Sequence, residues 1–358
     1  MHILGIETSC DDTAIAVVEV SGNITTVKSN VISSQIKIHA QFGGVVPLLA
    51  AREHSTNIDK VLVQALKEAQ IKLDKIELIA VTTGPGLAPA LLVGLSFAKA
   101  LAWKYKLPLV GTNHIKGHLY SCWLPPLGEK KAFKIVTSRS IFPALALIVS
   151  GGHTELILMN DYEHFELIGK TVDDAAGEAF DKIARILDLG FPGGPAIAQQ
   201  ADGFIPTAGQ KSLQLPRPML NSGDFNFSFS GLKTAVLYRV RDLVKAEGVL
   251  SPYRISQIAN ETQEAIVDVL VKKTLAAAEK YSAQSILIAG GVAANTHLRK
   301  TLAEKTRENG TPFFQPEKTY TTDNGAMIAL AGYFQNQYDL KPKSPLEDID
   351  IQPNLTIY

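Results

Sequence analysis

The feature that most constrains this chain is a pattern that occurs twice. Three short β-type runs joined by tight polar turns are followed each time by helices alternating with single strands. In the first round, His2 to Glu7, Thr13 to Val20 and Ile24 to Ile32 read as strands. The polar turn Thr8 to Asp12 and the turn Ser21-Gly22-Asn23 separate them. Leu48, Ala51, His54, Ile58, Leu62, Ala65 and Leu66 then recur at the helical period, which predicts a helix from Pro47 to Glu68. Ile76 to Thr83 is a strand stopped by Gly84-Pro85-Gly86, Ala88 to Tyr105 an apolar helix, and Leu109 to Thr112 another strand. The second round begins near Pro143. Ala144 to Ser150, Thr154 to Met159 and Phe165 to Lys170 form its meander, turned at Gly151-Gly152-His153. Helices are expected at Asp174 to Asp188, Ser230 to Lys245 and Ser256 to Tyr281, with a loop at Gly190 to Pro195. A buried strand at Ser285 to Ala289, a helix to about Glu308, a strand at Pro312 to Gln315 and a helix from Asp323 to Phe334 complete the round.

A meander followed by alternating helix and strand, done twice, is a duplicated mixed α/β architecture. It resembles the actin, Hsp70 and sugar-kinase (ASKHA) superfamily, which implies two lobes whose hairpin turns face a nucleotide cleft and grip its phosphates. The expected lobes are 1–115, with the helix 323–337 packing back on it, and 116–322; a surface strap, 338–358, follows. Composition narrows the setting. The 358 residues carry 35 Lys+Arg and 35 Asp+Glu, so a globally basic nucleic-acid binder is excluded but a local basic patch is not. Two cysteines, Cys10 and Cys122, cannot build a disulfide framework, and a reducing compartment is expected. No apolar run reaches the ~18 residues of a membrane span. A core-like strand starting almost at Met1 leaves no room for a targeting peptide, so a soluble, cytoplasmic protein is expected.

Several short motifs could carry chemistry. His114 and His118 stand at i and i+4, on one helix face about 6 Å apart, which suits two imidazoles on one metal. The plain alternative is two polar residues on a short helix. A zinc peptidase needs Glu beside one of these histidines, and Ile115 and Gly117 stand there instead. Thr8-Ser9-Cys10-Asp11-Asp12-Thr13 is either a phosphate-cradling turn with carboxylates that orient a water, metal or nucleophile, or an ordinary hairpin turn. Val149-Ser150-Gly151-Gly152-His153-Thr154 is its counterpart in the second meander, with glycines that let a ligand approach the backbone. Gly290-Gly291 leads a buried strand into a helix, where Asn295 could hydrogen-bond a base or ribose. Thr322 or Asp323 reads as an N-cap, and Asp323 is also the best candidate for a third metal ligand. Asp181 shares a helix face with Asp174 and Gly177 and suits ribose hydroxyls. Phe225, Phe227 and Phe229 alternate, as a strand with an apolar face or as a base-stacking surface.

Taken in order, these motifs resemble the tRNA N6-adenosine threonylcarbamoyltransferase family over nearly the whole chain. Gly5 to Thr13, Gly43 to Pro47, Thr83 to Leu87, Asn113 to His118, Val149 to Thr154, Asp173 to Lys182, Ser228 to Thr234 and Thr322 to Ala326 carry the resemblance. It implies transfer of a threonylcarbamoyl group from threonylcarbamoyl-AMP to N6 of adenine 37 in tRNAs reading codons that begin with A, with release of AMP. It implies that His114, His118 and Asp323 hold one divalent ion, Fe2+ or else Zn2+. It implies that Ile148, Val149, Ser150, Gly151, Gly152, Asp181, Gly194 and Asn295 bind the acyl-adenylate, and that Asp11 is catalytic. The partners implied are tRNA, a TsaB-like paralogue pairing through the helix Pro47 to Glu68, and a TsaE-like ATPase; no membrane is implied. Lys130, Lys131, Lys134 and Arg139 are candidates for a tRNA footprint. Leu48 and Lys116 depart from the family pattern, which more often has acidic residues there. The alternatives are a small-molecule kinase or ATPase of the same superfamily and a metallopeptidase.

Overall fold

The computed structural model describes residues 1–22, 24–127, 133–134, 141–206, 213–338 and 346–358, with backbone alone at 133, 134 and 338. The chain divides into two compact units, Met1–Arg139 with Tyr162–His164 and Gln315–Tyr358, and Ser140–Asp161 with Phe165–Phe314.

The first unit is built on β1 (His2–Glu7), β2 (Asp12–Ser21), β3 (Ile24–Ser34), β4 (Leu78–Gly84), β5 (Leu109–Asn113) and β6 (Phe133–Lys134). They form one mixed sheet in the order β5-β4-β1-β2-β3-β6. β1 lies antiparallel to β2 and parallel to β4, and β4 lies parallel to β5. Every residue of β4 and all but the first of β1 are buried, as central strands covered on both faces must be. The helices of this unit are α1 (Ile36–His39), α2 (Pro47–Ala69), α3 (Ala88–Tyr105) and α4 (His114–Tyr120). Pro47 opens α2, where its missing N–H costs nothing, and Gln70 closes it in the left-handed region. Ile58, Val61, Leu62 and Ala65 of α2 and Leu95, Ala98 and Ala102 of α3 meet Leu4, Ile6, Ile15 and Val81 of the sheet in one core.

The second unit repeats this plan. β7 (Ala144–Val149), β8 (Thr154–Met159), β9 (Phe165–Lys170), β10 (Ser285–Ala289) and β11 (Phe313–Phe314) are ordered β11-β10-β7-β8-β9. The antiparallel and parallel pairings match those of β1 to β5 one for one. The duplication expected from the sequence is therefore present in the strand order itself. Around this sheet lie α5 (Ala176–Ile186), α6 (Gly193–Asp202), α7 (Ser230–Glu247), α8 (Pro252–Lys280) and α9 (Thr296–Glu308). Their apolar faces share a core that includes Phe180, Ile183, Ile197, Leu232, Ile258 and Leu298.

The last helix, α10 (Gly325–Tyr338), belongs to the first unit. It packs so closely that a Cβ on Gly325 would sit 2.5 Å from the Ala16 nitrogen, and one on Gly5 would sit 2.0 Å from the Gly325 oxygen. The tail is bonded rather than loose from Leu346 onward. Gln352 N–H donates to the Thr83 carbonyl at 2.7 Å, and Asn113 Nδ2 donates to the Thr356 carbonyl at 3.3 Å.

Three local readings are corrected. The expected loop Gly190 to Pro195 runs into α6, because the buried side chains of Ile197 and Ala201 outweigh the loop character of Gly193-Gly194-Pro195. The expected helix before Glu308 is broken by a 3₁₀ turn, Gly291–Ala294, and restarts after Asn295. The alternating phenylalanines make no strand beyond a single bridge, Thr171 with Phe227, and Phe227 and Phe229 are fully buried, so neither offers a face to a base. Of the basic residues singled out near Pro125, Lys130, Lys131 and Arg139 lie outside the described residues, as does the side chain of Lys134. Among the described residues no helix is long and apolar enough to cross a membrane.

Candidate functional site

Asn113 ends β5 and caps α4, its Oδ1 accepting from the backbone N–H of Ile115 at 2.8 Å and Lys116 at 3.2 Å. That cap starts the single helical stretch carrying His114 and His118. Their rings meet edge to face with centroids 4.7 Å apart. Asp323 arrives from the other end of the chain, two residues before α10, whose first residue, Gly325, packs tightly against β1 and β2. Asp323 Oδ1 lies 3.5 Å from His114 Nε2 and 3.2 Å from His118 Nε2. One ligand atom from each of the three falls within 4.8 Å of the others. Ligands at ~2.1 Å in tetrahedral array about one ion stand roughly 3.4 Å apart, so the spacing fits a divalent cation. Two imidazoles and one carboxylate with coordination positions left over are a donor set that suits catalytic zinc or non-haem iron(II).

A residue that sequence reasoning passed over completes this corner. Glu7, at the end of β1, is fully buried. Its Oε2 receives Thr82 Oγ1–H at 2.6 Å and stands 3.0 Å from His114 Nδ1, while Oε1 receives the Ser9 N–H. Burial works to raise the Glu7 carboxyl, but the His114 ring and the hydrogen bonds hold it below the ordinary carboxylate range. Burial alone would depress His114; Asp323 and Glu7 together raise it. The corner therefore favours a cation, whether a proton or a metal ion. The signal for Glu7 was present in the sequence as one charged residue in an otherwise apolar strand, which is costly unless paired.

The turn between β1 and β2 adds carboxylates. Burial pushes Asp11 up, against its hydrogen bond from Cys10 and with help from Asp323. Burial, with Asp323 and Asp11, pushes Asp12 up to about 7 against a hydrogen bond from Ser34. Cys10 is raised by burial and by Asp11, so it stays a neutral thiol. The turn is gripped from below by His54 of α2, fully buried. Its Nε2 donates to the Cys10 carbonyl at 3.0 Å and its Nδ1 accepts from Thr13 Oγ1 at 2.7 Å. Gln35 ties the same place down, its N–H reaching the Asp11 carbonyl at 3.0 Å and its Oε1 accepting from His39 Nε2 at 3.0 Å.

In the second unit the singled-out residues fall into separate local arrangements. Ile148 and Val149 end β7, and Ser150 Oγ accepts from the N–H of Gly152 at 3.3 Å and of His153 at 3.0 Å. Gly151 and Gly152 face open space where a Cβ would stand. Asp181 Oδ1 accepts the Gly193 N–H at 2.6 Å at the start of α6, next to Gly194; burial raises its carboxyl and these amides oppose the rise. Asn295 caps α9, Oδ1 accepting from Leu298 N–H at 2.9 Å and Nδ2 donating to Gln263 Oε1 at 2.8 Å. Both ends of that amide are used inside the fold. Asp173 likewise caps α7, accepting from Phe229 N–H at 2.8 Å.

Comparison with known proteins identifies the family. A model described as TsaD, tRNA N6-adenosine threonylcarbamoyltransferase, matches residues 26–330. A protein of that name from Thermosipho africanus is 46% identical over 357 residues, covering 100% of both chains. One from Dehalococcoides mccartyi is 47% identical over 357 residues, covering 100% of this chain and 99% of its own. Among solved structures, full-length HypF matches with a TM-score of 0.57 at 12% identity, over 96% of this chain and 47% of its own. Component A of the (R)-2-hydroxyglutaryl-CoA dehydratase from Acidaminococcus fermentans matches with a TM-score of 0.50 at 13% identity, over 93% of this chain and 97% of its own. These structures share the fold, a duplicated ASKHA-type α/β architecture.

Proposed function

This chain belongs to the tRNA N6-adenosine threonylcarbamoyltransferase family, and we propose that it transfers a threonylcarbamoyl group from threonylcarbamoyl-AMP to N6 of adenine 37 in tRNA. The N6 nitrogen forms a bond to the carbamoyl carbon, the bond from that carbon to the AMP oxygen breaks, and the N6 proton departs. Beyond family membership, the observation that carries this reading is the convergence of His114, His118 and Asp323 beside the carboxylates of Asp11 and Asp12.

In this reading His114, His118 and Asp323 hold one divalent ion, Fe2+ or Zn2+. Bound there, the ion supplies Lewis-acid polarisation of a phosphate or carbonyl oxygen. The adenine amine is a weak nucleophile, its lone pair being delocalised into the ring, and the acyl group is already activated by its AMP leaving group. Positioning and charge stabilisation are therefore what remain for the protein to supply. Asp11 takes the N6 proton; a carboxyl raised by burial is a better base than an exposed one. The turn Ile148 to Gly152 holds the adenylate, supported by the open space at Gly151 and Gly152. Asp181, Gly194 and Asn295 complete that binding surface. A TsaB-like paralogue pairs along α2, where Leu48 and Val63 are exposed, and a TsaE-like ATPase supports turnover in the cytoplasm. A peptidase is disfavoured because Ile115 and Gly117, both buried, flank the histidines in place of a base.

The test supplies the protein with threonine, bicarbonate, ATP, an adenylate-forming enzyme, the helper proteins and unmodified tRNA, and analyses the nucleosides by mass spectrometry. Threonylcarbamoyladenosine is expected. Its absence from the complete system, with ATP consumed on a small-molecule acceptor instead, would favour a kinase. Asp11→Ala should cut transfer by roughly 10²- to 10⁴-fold with adenylate binding largely intact; equal loss of both would refute the base assignment.

A further inference from the structure

Glu7 is a fully buried carboxylate that no part of the proposed reaction uses, and it touches a proposed metal ligand on the side away from the metal. Its Oε2 is 3.0 Å from His114 Nδ1, whereas His114 Nε2 faces Asp323. We propose that Glu7 is the positioning residue of the metal centre, holding the proton of His114 on Nδ1 so that the Nε2 lone pair points at the ion. This rests on the assignment of His114, His118 and Asp323 as ligands.

Three observations carry it. First, Glu7 is held in one orientation by donors on both oxygens, Ser9 N–H on Oε1 and Thr82 Oγ1–H on Oε2. A carboxylate fixed in this way accepts the Nδ1 proton and selects the tautomer that ligates through Nε2. Second, the charges balance. A 2+ ion would match the single negative charges of Glu7 and Asp323, which offsets part of the penalty of burying Glu7. Third, the two histidines are unequal. The Nδ1 of His118 is buried with no hydrogen-bond partner among the described residues, so only His114 has a carboxylate behind it. Ser9 Oγ, 3.2 Å from the same Nδ1, is within reach to share that proton as a second acceptor.

The experiment measures Zn2+ affinity on the full chain, stripped of metal, by competition with a chromophoric chelator. Thermal unfolding runs alongside to show that each variant is folded. Glu7→Gln should weaken Zn2+ binding by about 10- to 100-fold. Thr82→Val, which removes one donor that holds Glu7, should weaken it a few-fold, about the effect of one hydrogen bond. A folded Glu7→Gln protein that binds Zn2+ as tightly as the parent overturns the proposal. If Glu7→Gln does not fold, unchanged affinity in Thr82→Val overturns it instead. Undiminished binding in His114→Ala would remove the ligand assignment itself, an outcome distinct from loss of Glu7's role.

Discussion

The two hairpin turns of the duplicated fold, Thr8 to Asp12 after β1 and Ser150 to His153 after β7, have the same backbone setting and opposite chemistry. Both are crowded by glycines from neighbouring segments. A Cβ on Gly86 would lie 2.7 Å from the Ser9 oxygen, and one on Gly177 would lie 2.6 Å from the Ser150 oxygen. The first turn fills its surroundings with ionisable side chains, and Asp323 acts electrostatically on Glu7, Cys10, Asp11, Asp12 and His114 alike. The second turn carries two glycines open to solvent, and its Gly152 and His153 N–H groups are taken up by Ser150 Oγ. The strand order and the tight turn are shared by the two copies; the side chains differ, so that one turn lies beside a His114, His118 and Asp323 group that could hold a cation and the other beside two glycines facing open space.

The largest test of this contrast removes the cation site. Asp323→Ala or His118→Ala should abolish metal binding and lower threonylcarbamoyladenosine formation by ~100-fold or more. Elemental analysis and the nucleoside assay check this, and an active metal-free variant would break the comparison. Next is Gly290, at φ +92 with its built Cβ 2.5 Å from the Val149 oxygen behind the second turn. Gly290→Ala should cost about 2–4 kcal/mol, from backbone strain and overpacking. Calorimetry should show unfolding shifted down by roughly 5–15 °C. A smaller effect belongs to Asp12. With its carboxyl raised to about 7 in the fold and near 4 when unfolded, it stays protonated in the native state while the unfolded chain ionises. Its contribution to stability therefore declines as pH rises from about 4 to about 7, and the cost persists above that. In metal-free protein, Asp12→Asn should be neutral at pH 4 and stabilising by ~1–3 kcal/mol at pH 8, read from urea unfolding at both pH values. The smallest expected stability change is at Gly151, where a methyl group meets nothing. Gly151→Ala should alter stability by less than about 0.5 kcal/mol yet raise the KM for the adenylate; an unchanged KM would separate this turn from substrate binding.

Much of this was legible from the sequence because burial on both faces writes strands as apolar runs. β1, β7 and β10 stand out for that reason, and α3 is bounded by Pro89 in its first turn and by Lys106, which closes it in the left-handed region. The helix α6 was not legible, since Gly193-Gly194-Pro195 has the composition of a loop and only the Asp181 cap and the buried Ile197 make it helical. At the site, the i, i+4 histidine pair and the candidate Asp323 were visible, but their meeting was not, because no local pattern reports a contact spanning two hundred residues. The partners of Glu7, His39 and His54 were hidden for a related reason. Each of these three residues sits at an apolar position of its own strand or helix, and their partners, His114, Gln35 and the Cys10 carbonyl, are set by tertiary packing.

The most direct measurement is X-ray absorption spectroscopy of the protein loaded with one equivalent of Zn2+. The predicted first shell holds two imidazole nitrogens and carboxylate or water oxygens at about 2.0–2.2 Å. A sulfur scatterer at about 2.3 Å, or a spectrum unchanged by His114→Ala and His118→Ala together, would contradict it.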